Sequence, residues 1–445
     1  MFGSSSVFRG FKCLLQVPVR MGARGASVLQ FSSPYLVGLN TILLALVLPI
    51  AARRHDWLGL RTPWKPALTQ QEQQRAIYAG SGTRMRRVAD KLLDGRPISV
   101  YFLGGSITHL QDSSDWSGGA KYPQRLYQFI NFTFPHRQVL HKFVDRSYPA
   151  TPASYAMPCV ESLVAADADV VVVEYTMNEN RTAEFDSLER REYEQLLRRV
   201  LRLPGQPAVV LLHSYAWLLA AGDGVTEGLF YTNTEGQLAT LAQFYDVPSL
   251  SLRAAVWQLM QAGIDGFKVD KVSGQAFTSH LTGRTVPAAA KREADGYFYM
   301  DGAHPTAAGH LAMAELLAGL FSRAVLDATS GLALHSRTDD RLTVLPPAMI
   351  PNNPDQPTAF CAMMEEFQHV VKAHAGFEYK ALNPNAAGFA AQKWGWLATR
   401  PGMVKKQVSQ HAKCRMQFKV ILAPNKQADE EQRVLLVAVS VIHRA

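Results

Sequence analysis

The most constraining feature of the chain is a run of four valines inside the segment 169–175, DVVVVEY. Valine is branched at Cβ, so it loses side-chain freedom in a helix and packs well on the pleated surface of a strand. No polar residue alternates with these valines, which indicates a strand that is buried on both faces, as the strands of parallel sheets are. The segment therefore predicts a buried strand of a parallel sheet.

Strand-like and helical segments alternate on both sides of this run. Short apolar segments typical of strands lie at 98–103, 139–144, 208–213 and 247–252. Apolar residues recur at helical spacing in the segments 123–132, 187–203, 234–244 and 306–326, the last of which begins at Thr306, a favourable N-cap residue. This alternation predicts an α/β fold with a doubly wound parallel sheet, in which ligands bind at the carboxyl ends of the strands.

Composition and charge exclude several classes of protein. Of the 445 residues, 47% are hydrophobic and 19% are charged, which is typical of a folded globular chain and excludes general disorder. The segment 1–54 holds six basic residues and no acid, so it accounts for +6 of the net charge of +9 and leaves +3 for the remainder. That small charge does not indicate a surface for nucleic acid.

The N-terminal segment 1–54 contains an uncharged apolar run, Tyr35–Ala52, with basic residues on both sides. Eighteen helical residues span about 27 Å, close to the thickness of a bilayer core. The run predicts an uncleaved signal-anchor, a single transmembrane helix that leaves the rest of the chain lumenal or extracellular. The alternative is a cleaved organelle transit peptide, because residues 1–33 are rich in Ser and Arg and lack acids.

The C-terminal part of the sequence has a different character. Five prolines between 346 and 357 mark a linker over 327–357, and the strand-like segments 418–422 and 434–441 predict a β-rich module over 358–445. Trp394 and Trp396 precede a predicted turn at Pro401-Gly402. We expect both tryptophans to fill the core of this module, with stacking on a sugar as the alternative.

The four cysteines do not form a disulfide scaffold or a zinc site. No two of them have CxxC spacing, which disfavours structural zinc. Cys159, Cys361 and Cys414 follow the apolar run, so at most one disulfide can form among these three.

Polar motifs follow two of the predicted strands. Gly104-Gly105-Ser106-Ile107-Thr108 comes directly after the strand 98–103, and its two glycines permit a sharp turn that would expose Ser106 as a nucleophile requires. Asn178 lies just past the valine strand, where its amide could donate to a developing oxyanion. For either motif alone, an ordinary turn is the simpler interpretation.

A third motif precedes the predicted helix 306–326. Asp301 and His304 are three residues apart, so the carboxylate can hold one imidazole nitrogen while the other faces a nucleophile.

The order Ser106, Asn178, Asp301-x-x-His304 over residues 95–326 resembles that of the SGNH (GDSL-type) hydrolase family, in its eukaryotic GGSIT form. The resemblance implies a flavodoxin-like sheet and a triad of Ser106 as nucleophile, His304 and Asp301. It also implies an oxyanion hole formed by the backbone N–H groups of Ser106 and Ala150 and the side-chain amide of Asn178. No cofactor and no metal are implied.

Four residues depart from the family pattern. Gly105 replaces the Asp of GDSL, and Ala150 replaces the usual glycine of the oxyanion hole. Thr176 and Glu179 replace the outer residues of the G-x-N-D motif, so the shape of that turn is not given by the resemblance.

The function implied by the resemblance is hydrolysis of a carboxylic ester, with an O-acetyl group on a carbohydrate as one such substrate. The same triad could instead transfer an acyl group to a sugar hydroxyl. A third interpretation is a non-catalytic protein that keeps the fold and binds carbohydrate or protein. We expect attachment to a membrane through residues 35–52 and no nucleic-acid partner.

Overall fold

The computed structural model describes residues 61–442 apart from the segments 111–115, 117, 137, 220–227, 229–232, 280–281, 331–343, 356–357, 364–366, 370, 382–393, 408–414, 421–434 and 437. The predicted membrane span 35–52 and the residues Cys13 and Cys414 lie outside the described residues. Within the described residues, no helix has both the length and the apolar character needed to cross a bilayer.

The strands of the described residues form one large and three small sheets. They are β1 (Ile77–Tyr78), β2 (Ser99–Gly104), β3 (Lys142–Asp145), β4 (Val170–Glu174), β5 (Ala208–His213), β6 (Ser249–Ser251), β7 (Phe277–Thr278), β8 (Thr285–Val286), β9 (Thr358–Met363), β10 (Val371–Ala381), β11 (Trp394–Gln407), β12 (Arg415–Val420), β13 (Leu435–Leu436) and β14 (Ala438–Ile442).

The α-helices of the described residues mostly connect the strands of the large sheet. They are α1 (Gln70–Ala76), α2 (Thr83–Leu93), α3 (Tyr122–Thr133), α4 (Ala153–Ala156), α5 (Val160–Leu163), α6 (Leu188–Leu201), α7 (Asn233–Phe244), α8 (Leu252–Gln261) and α9 (Ala307–Thr329).

The large sheet has the strand order β1-β6-β5-β4-β2-β3. The edge strand β1 is antiparallel to β6, and the other pairs are parallel. If the five parallel strands are counted in chain order, they lie in the order 2-1-3-4-5, which is that of flavodoxin. The prediction of an α/β fold with a parallel sheet is confirmed.

The valine strand lies in the middle of this sheet and contributes to two cores. Successive side chains of a strand point to opposite faces. Val170 and Val172 pack in a core with residues of α2, α3, α8 and α9, whereas Val171 and Val173 pack with residues of α4, α6 and α7. The sheet is therefore covered by helices on both sides, as the uninterrupted valines predict.

Two local expectations were incomplete. The sequence patterns predicted no helix or strand over residues 55–94, but the described residues from 61 to 94 contain α1, β1 and α2. Helix α2 buries Met85, Val88, Ala89 and Leu92, which recur at helical spacing among charged residues. Thr306 occupies the N-cap of α9 as expected, but its hydroxyl donates to the carbonyl of Tyr297 and makes no capping bond.

The C-terminal strands form a sheet of β10, β11, β12 and β13 and a separate pair of β9 and β14. The predicted turn at Pro401-Gly402 is wrong, because both residues lie inside β11. Proline lacks an N–H for the ladder, and here β11 leaves its register with β10 between the partners of Ala375 and Phe377. Trp396 is buried, at 6% exposure, whereas Trp394 is 43% exposed, so the expectation of a core position holds for Trp396 alone.

A disulfide joins Cys159, in the 3₁₀ turn that links α4 to α5, to Cys361 on β9, with 5.5 Å between the two Cα atoms. The bond connects the segment that follows β3 to the C-terminal strands. The Pro-rich segment also contacts the α/β part, since the Glu194 carboxylate on α6 accepts the backbone N–H groups of Met349 and Ile350.

Candidate active site

The three predicted motifs meet at the carboxyl edge of the large sheet. Ser106 lies two residues past the end of β2, and Asn178 lies four residues past the end of the neighbouring strand β4. His304 lies three residues before α9, whose side chains pack against the same sheet. The fold thus brings together residues that are up to 198 positions apart in the chain.

Ser106, His304 and Asp301 form a continuous hydrogen-bonded line. Ser106 Oγ lies 2.7 Å from His304 Nε2, and His304 Nδ1 lies 2.8 Å from Asp301 Oδ2. With the proton on Nδ1, the imidazole donates to the carboxylate and its Nε2 can accept the serine proton. The side chains of His304 and Asp301 are 30% and 48% exposed, so solvent reaches this line.

The Asp301 carboxylate has two separate tasks. Its Oδ1 accepts the backbone N–H groups of Ala303 and His304, both at 2.8 Å, and so closes the turn that carries the histidine. Its Oδ2 holds the imidazole. Burial acts to raise the pKa of Asp301, but the hydrogen bonds from the His304 ring and from these two N–H groups outweigh burial and hold the pKa below its ordinary value. The group is therefore ionised at neutral pH and can stabilise an imidazolium.

Glycines allow the serine turn to approach its neighbours closely. A Cβ on Gly104 would lie 2.8 Å from the Glu174 carbonyl oxygen, and a Cβ on Gly105 would overlap the side-chain amide of Asn178. The Gly105 N–H donates to the Glu174 carbonyl at 3.3 Å, and the His109 N–H closes the turn on the Gly105 carbonyl at 3.1 Å. Close packing at Gly105 places the Asn178 amide directly against the turn that carries Ser106.

Three donors at this edge have no partner within the part of the chain that the structure describes. They are the N–H of Ser106, the N–H of Ala150 and the side-chain amide of Asn178. The Ala150 segment is held near the end of β2, because the Tyr148 N–H donates to the Gly104 carbonyl at 2.8 Å. Unpaired donors at the carboxyl edge of a sheet are available to a ligand oxygen.

Ala150 adopts a backbone conformation that favours glycine. Its φ angle is +56°, in the left-handed region that costs a non-glycine residue about 1–2 kcal/mol. The substitution of alanine for the glycine of the resembled family therefore retains the backbone N–H and adds strain at this position.

Glu179 links the two segments that carry Ala150 and Asn178. Its carboxylate accepts the Ala153 N–H at 2.8 Å, at the start of α4, and lies 3.4 Å from the guanidinium of the buried Arg190. Arg190 also donates to the Asn180 carbonyl at 2.7 Å. Burial raises the pKa of Glu179 to about 7, against the lowering effects of the Ala153 N–H and Arg190. Sequence reasoning treated Glu179 as a departure from a motif and missed this contact.

Thr176, the other residue that departs from the G-x-N-D motif, connects to the neighbouring strands β5 and β6 through hydrogen bonds. Its hydroxyl lies 2.9 Å from Nδ1 of the buried His213 at the end of β5, and His213 Nε2 lies 3.0 Å from the Ser249 hydroxyl on β6. The turn after β4 is thus anchored on both sides of Asn178.

No protein-family model matches the chain, and the comparison with curated proteins also finds no match. Among solved structures, the chain is similar to a two-domain esterase (CEX) active on acetylated mannans, co-crystallized with mannopentaose. The two chains are 17% identical, the match covers 83% of this chain and 88% of that chain, and the TM-score is 0.50. Another structure of a two-domain esterase (CEX) active on acetylated mannans gives 20% identity, 76% and 75% coverage and a TM-score of 0.49.

A third solved structure, the acetyl xylan esterase AlAXEase, has 13% identity and covers 49% of this chain and 98% of its own, with a TM-score of 0.35. At 17% identity, the likeness to the structure with a TM-score of 0.50 is one of fold. The GGSIT subtype stays a prediction.

Proposed function

We propose that the protein is a serine esterase that hydrolyses a carboxylic ester with Ser106, His304 and Asp301. The observation that carries this proposal is the unbroken line from Ser106 Oγ to His304 Nε2 at 2.7 Å and from His304 Nδ1 to Asp301 at 2.8 Å. This arrangement activates a serine that would otherwise be a weak nucleophile.

In the proposed reaction, Ser106 Oγ attacks the ester carbonyl carbon while His304 Nε2 takes the hydroxyl proton. The carbonyl oxygen becomes an oxyanion, and the alcohol leaves as it receives the proton from His304. A water molecule then attacks the acyl-serine by the same steps and releases the acid. Asp301 keeps the imidazole in the required tautomer and stabilises its charged form.

The three unpaired donors supply the proposed oxyanion hole. The Ser106 N–H, the Ala150 N–H and the Asn178 amide can each donate to the developing negative charge. Loss of one such donor reduces kcat by about 100- to 1000-fold in serine hydrolases. Their lack of partners in the described residues supports this role.

An O-acetyl group on a carbohydrate is the proposed substrate. The support comes from the fold, because a similar structure with a TM-score of 0.50 is an esterase active on acetylated mannans. The partial exposure of His304 and Asp301 also suits an ester that projects from a large polymer.

The test is release of acetate from acetylated mannan, acetylated xylan and p-nitrophenyl acetate by the wild type and Ser106→Ala. Ser322→Ala is a matched control, since Ser322 lies in α9 and, among the described residues, its hydroxyl donates only to the helix carbonyl of Ala318. We expect Ser106→Ala to retain less than about 1% of kcat and the control to match the wild type.

Other outcomes distinguish the alternatives. Acetyl transfer to an added oligosaccharide without release of acetate would replace hydrolysis by acyl transfer. Equal activity of Ser106→Ala and the wild type, in preparations free of other esterases, would refute the nucleophile assignment. No turnover of any ester would favour the binding protein.

We also propose that the catalytic part lies in the lumen of the secretory pathway, anchored by residues 35–52. The Cys159–Cys361 disulfide supports this proposal, because disulfides persist in oxidising compartments and are rare in the cytosol. The anchored protein should resist carbonate extraction. A mature N-terminus beyond residue 54 in an organelle would favour the transit peptide, and recovery of the intact chain in the soluble fraction would contradict both.

A further inference from the structure

Lys121 is a half-buried lysine whose ammonium group lies behind the serine turn. It precedes the first residue of α3, and its Nζ donates to the carbonyl oxygens of Ser106 at 3.0 Å and His109 at 2.6 Å. These two carbonyls stand at the two ends of the segment 106–109. A single cation thus ties together both ends of the turn that carries the proposed nucleophile.

The same turn is attached to the end of β4 through Thr108. The Thr108 hydroxyl donates to Glu174 Oε2 at 2.9 Å and lies 2.8 Å from the Tyr122 hydroxyl. The other carboxylate oxygen of Glu174 accepts the Ser214 hydroxyl at 2.6 Å. Glu174 therefore holds the 106–109 turn through the side chain of Thr108, whereas Lys121 holds it through two backbone carbonyls.

Burial of the Lys121 ammonium costs free energy unless its hydrogen bonds or an ion pair offset the loss of water. Burial lowers the pKa of Lys121 to about 8, against the raising effects of Asp145 at the end of β3 and Glu174 at the end of β4. Within the described residues, the hydrogen bonds of Lys121 Nζ go to these two backbone carbonyls and not to the carboxylate of Asp145 or Glu174. The ammonium is therefore placed for the geometry of the turn rather than for an ion pair.

We propose that Lys121 is a positioning residue that holds the 106–109 turn in the geometry that directs Ser106 Oγ at His304 Nε2 and leaves the Ser106 N–H free for an oxyanion. The inference rests on the proposed esterase function. Lys121 acts through the serine turn and does not contact the substrate. Its effect belongs to the chemical step, so it should alter kcat and leave KM nearly unchanged.

The test compares Lys121→Met with Lys91→Met in the full chain. Lys91 is a suitable control because it is also partly buried, and its ammonium binds Asp169 near the opposite end of the sheet, where β4 begins. We expect Lys121→Met to lower kcat by about 10- to 100-fold, as a small misplacement of a reacting group does, with KM within about twofold. Reaction with a fluorophosphonate should slow in proportion, and Lys91→Met should match the wild type in both assays.

Hydrogen exchange supplies a readout that does not depend on activity. The His109 N–H, which donates to the Gly105 carbonyl, reports closure of the turn. Its exchange should accelerate in Lys121→Met while amides of β4 and β5 keep their wild-type rates. If the wild type neither hydrolyses esters nor reacts with the fluorophosphonate, the proposed function fails, and exchange of the 105–109 amides alone decides the role of Lys121.

Lys121→Gln keeps a polar, uncharged side chain and serves as a second variant if Lys121→Met does not fold. We expect the same direction of change and a smaller loss of kcat. A folded Lys121 variant with kcat and turn exchange within twofold of the wild type would overturn the proposal. Loss of the fold in both variants, with Lys91→Met intact, would also overturn it and assign Lys121 to stability.

Discussion

Glu174 gives the fold a pH dependence whose sign and size follow from its surroundings. Its carboxyl group is fully buried at the end of β4, and burial raises its pKa from 4.5 to about 7, against hydrogen bonds from Ser214 and Thr108 and the charge of Lys121. Between these two pH values the folded protein keeps a proton that the unfolded chain releases. The contribution of Glu174 to stability therefore falls as pH rises from about 4.5 to about 7 and is level above that range. The difference in pKa corresponds to about 3 kcal/mol.

Substitution of Glu174 by Gln removes this ionisation and keeps the shape of the side chain. The amide oxygen can accept from one hydroxyl, and the amide nitrogen can donate to the other, because the hydroxyls of Ser214 and Thr108 can rotate. We expect the free energy of unfolding of Glu174→Gln, minus that of the wild type, to increase by about 3 kcal/mol between pH 4.5 and pH 8. Urea unfolding followed by tryptophan fluorescence at pH 4.5, 5, 6, 7 and 8 measures this difference.

The difference between the two free energies of unfolding separates the effect of Glu174 from that of Glu179, the other buried acid at the site. Glu179, whose pKa is also raised to about 7, is present in both proteins and cancels. Glu378→Gln is the control, since it makes the same chemical change at a side chain that is 62% exposed on β10. A difference for Glu174→Gln that is flat from pH 5 to pH 8 would refute the argument, because it would mean that the carboxyl group is ionised throughout.

Three other changes test separate parts of the site and the fold. Asp301→Asn should lower kcat by about 10³- to 10⁴-fold, because the amide supports the wrong His304 tautomer; steady-state kinetics with a KM change as the main effect would contradict this. Ala150→Gly should raise the free energy of unfolding by up to about 1 kcal/mol, since glycine relieves the left-handed strain at some cost in chain entropy; a clear fall in Tm would be contrary. Cys159→Ser should destabilise the protein by about 2–5 kcal/mol, because the disulfide closes a long loop of 202 residues, and Cys361→Ser should match it; a wild-type Tm that is insensitive to reductant would oppose this.

The sequence predicted the α/β part well because its signals are local. An uninterrupted valine run has few alternatives to a buried strand, and the segments 98–103 and 208–213 correspond to β2 and β5 nearly residue for residue. Once these strands are parallel neighbours, their carboxyl ends share one edge of the sheet. The motifs that follow them had to be close together, although the contact of Ser106 with His304 spans 198 residues.

The remaining features depend on tertiary contacts that no local pattern shows. Lys121 reads as an ordinary charged residue before a helix, and its role emerges only when the 106–109 turn folds back over it. Glu174 is the last residue of the valine strand, but the groups that surround its buried carboxyl, those of Thr108, Ser214 and Lys121, come from other parts of the chain. Strand β11, which contains Pro401, was not predicted. A register shift in its pairing with β10 accommodates the proline, and the local sequence does not show that pairing. The catalytic roles and the membrane span stay predictions.

The most direct test of the central claim is the site at which a fluorophosphonate reacts with the wild-type protein. Peptide mapping by mass spectrometry should place one adduct on the peptide that contains Ser106, since Ser106 is the serine hydrogen-bonded to His304 Nε2. The adduct should be absent from Ser106→Ala and strongly reduced in His304→Ala, and it should be unchanged in Ser322→Ala. An adduct on another serine, or equal labelling of Ser106→Ala and the wild type, would contradict the account.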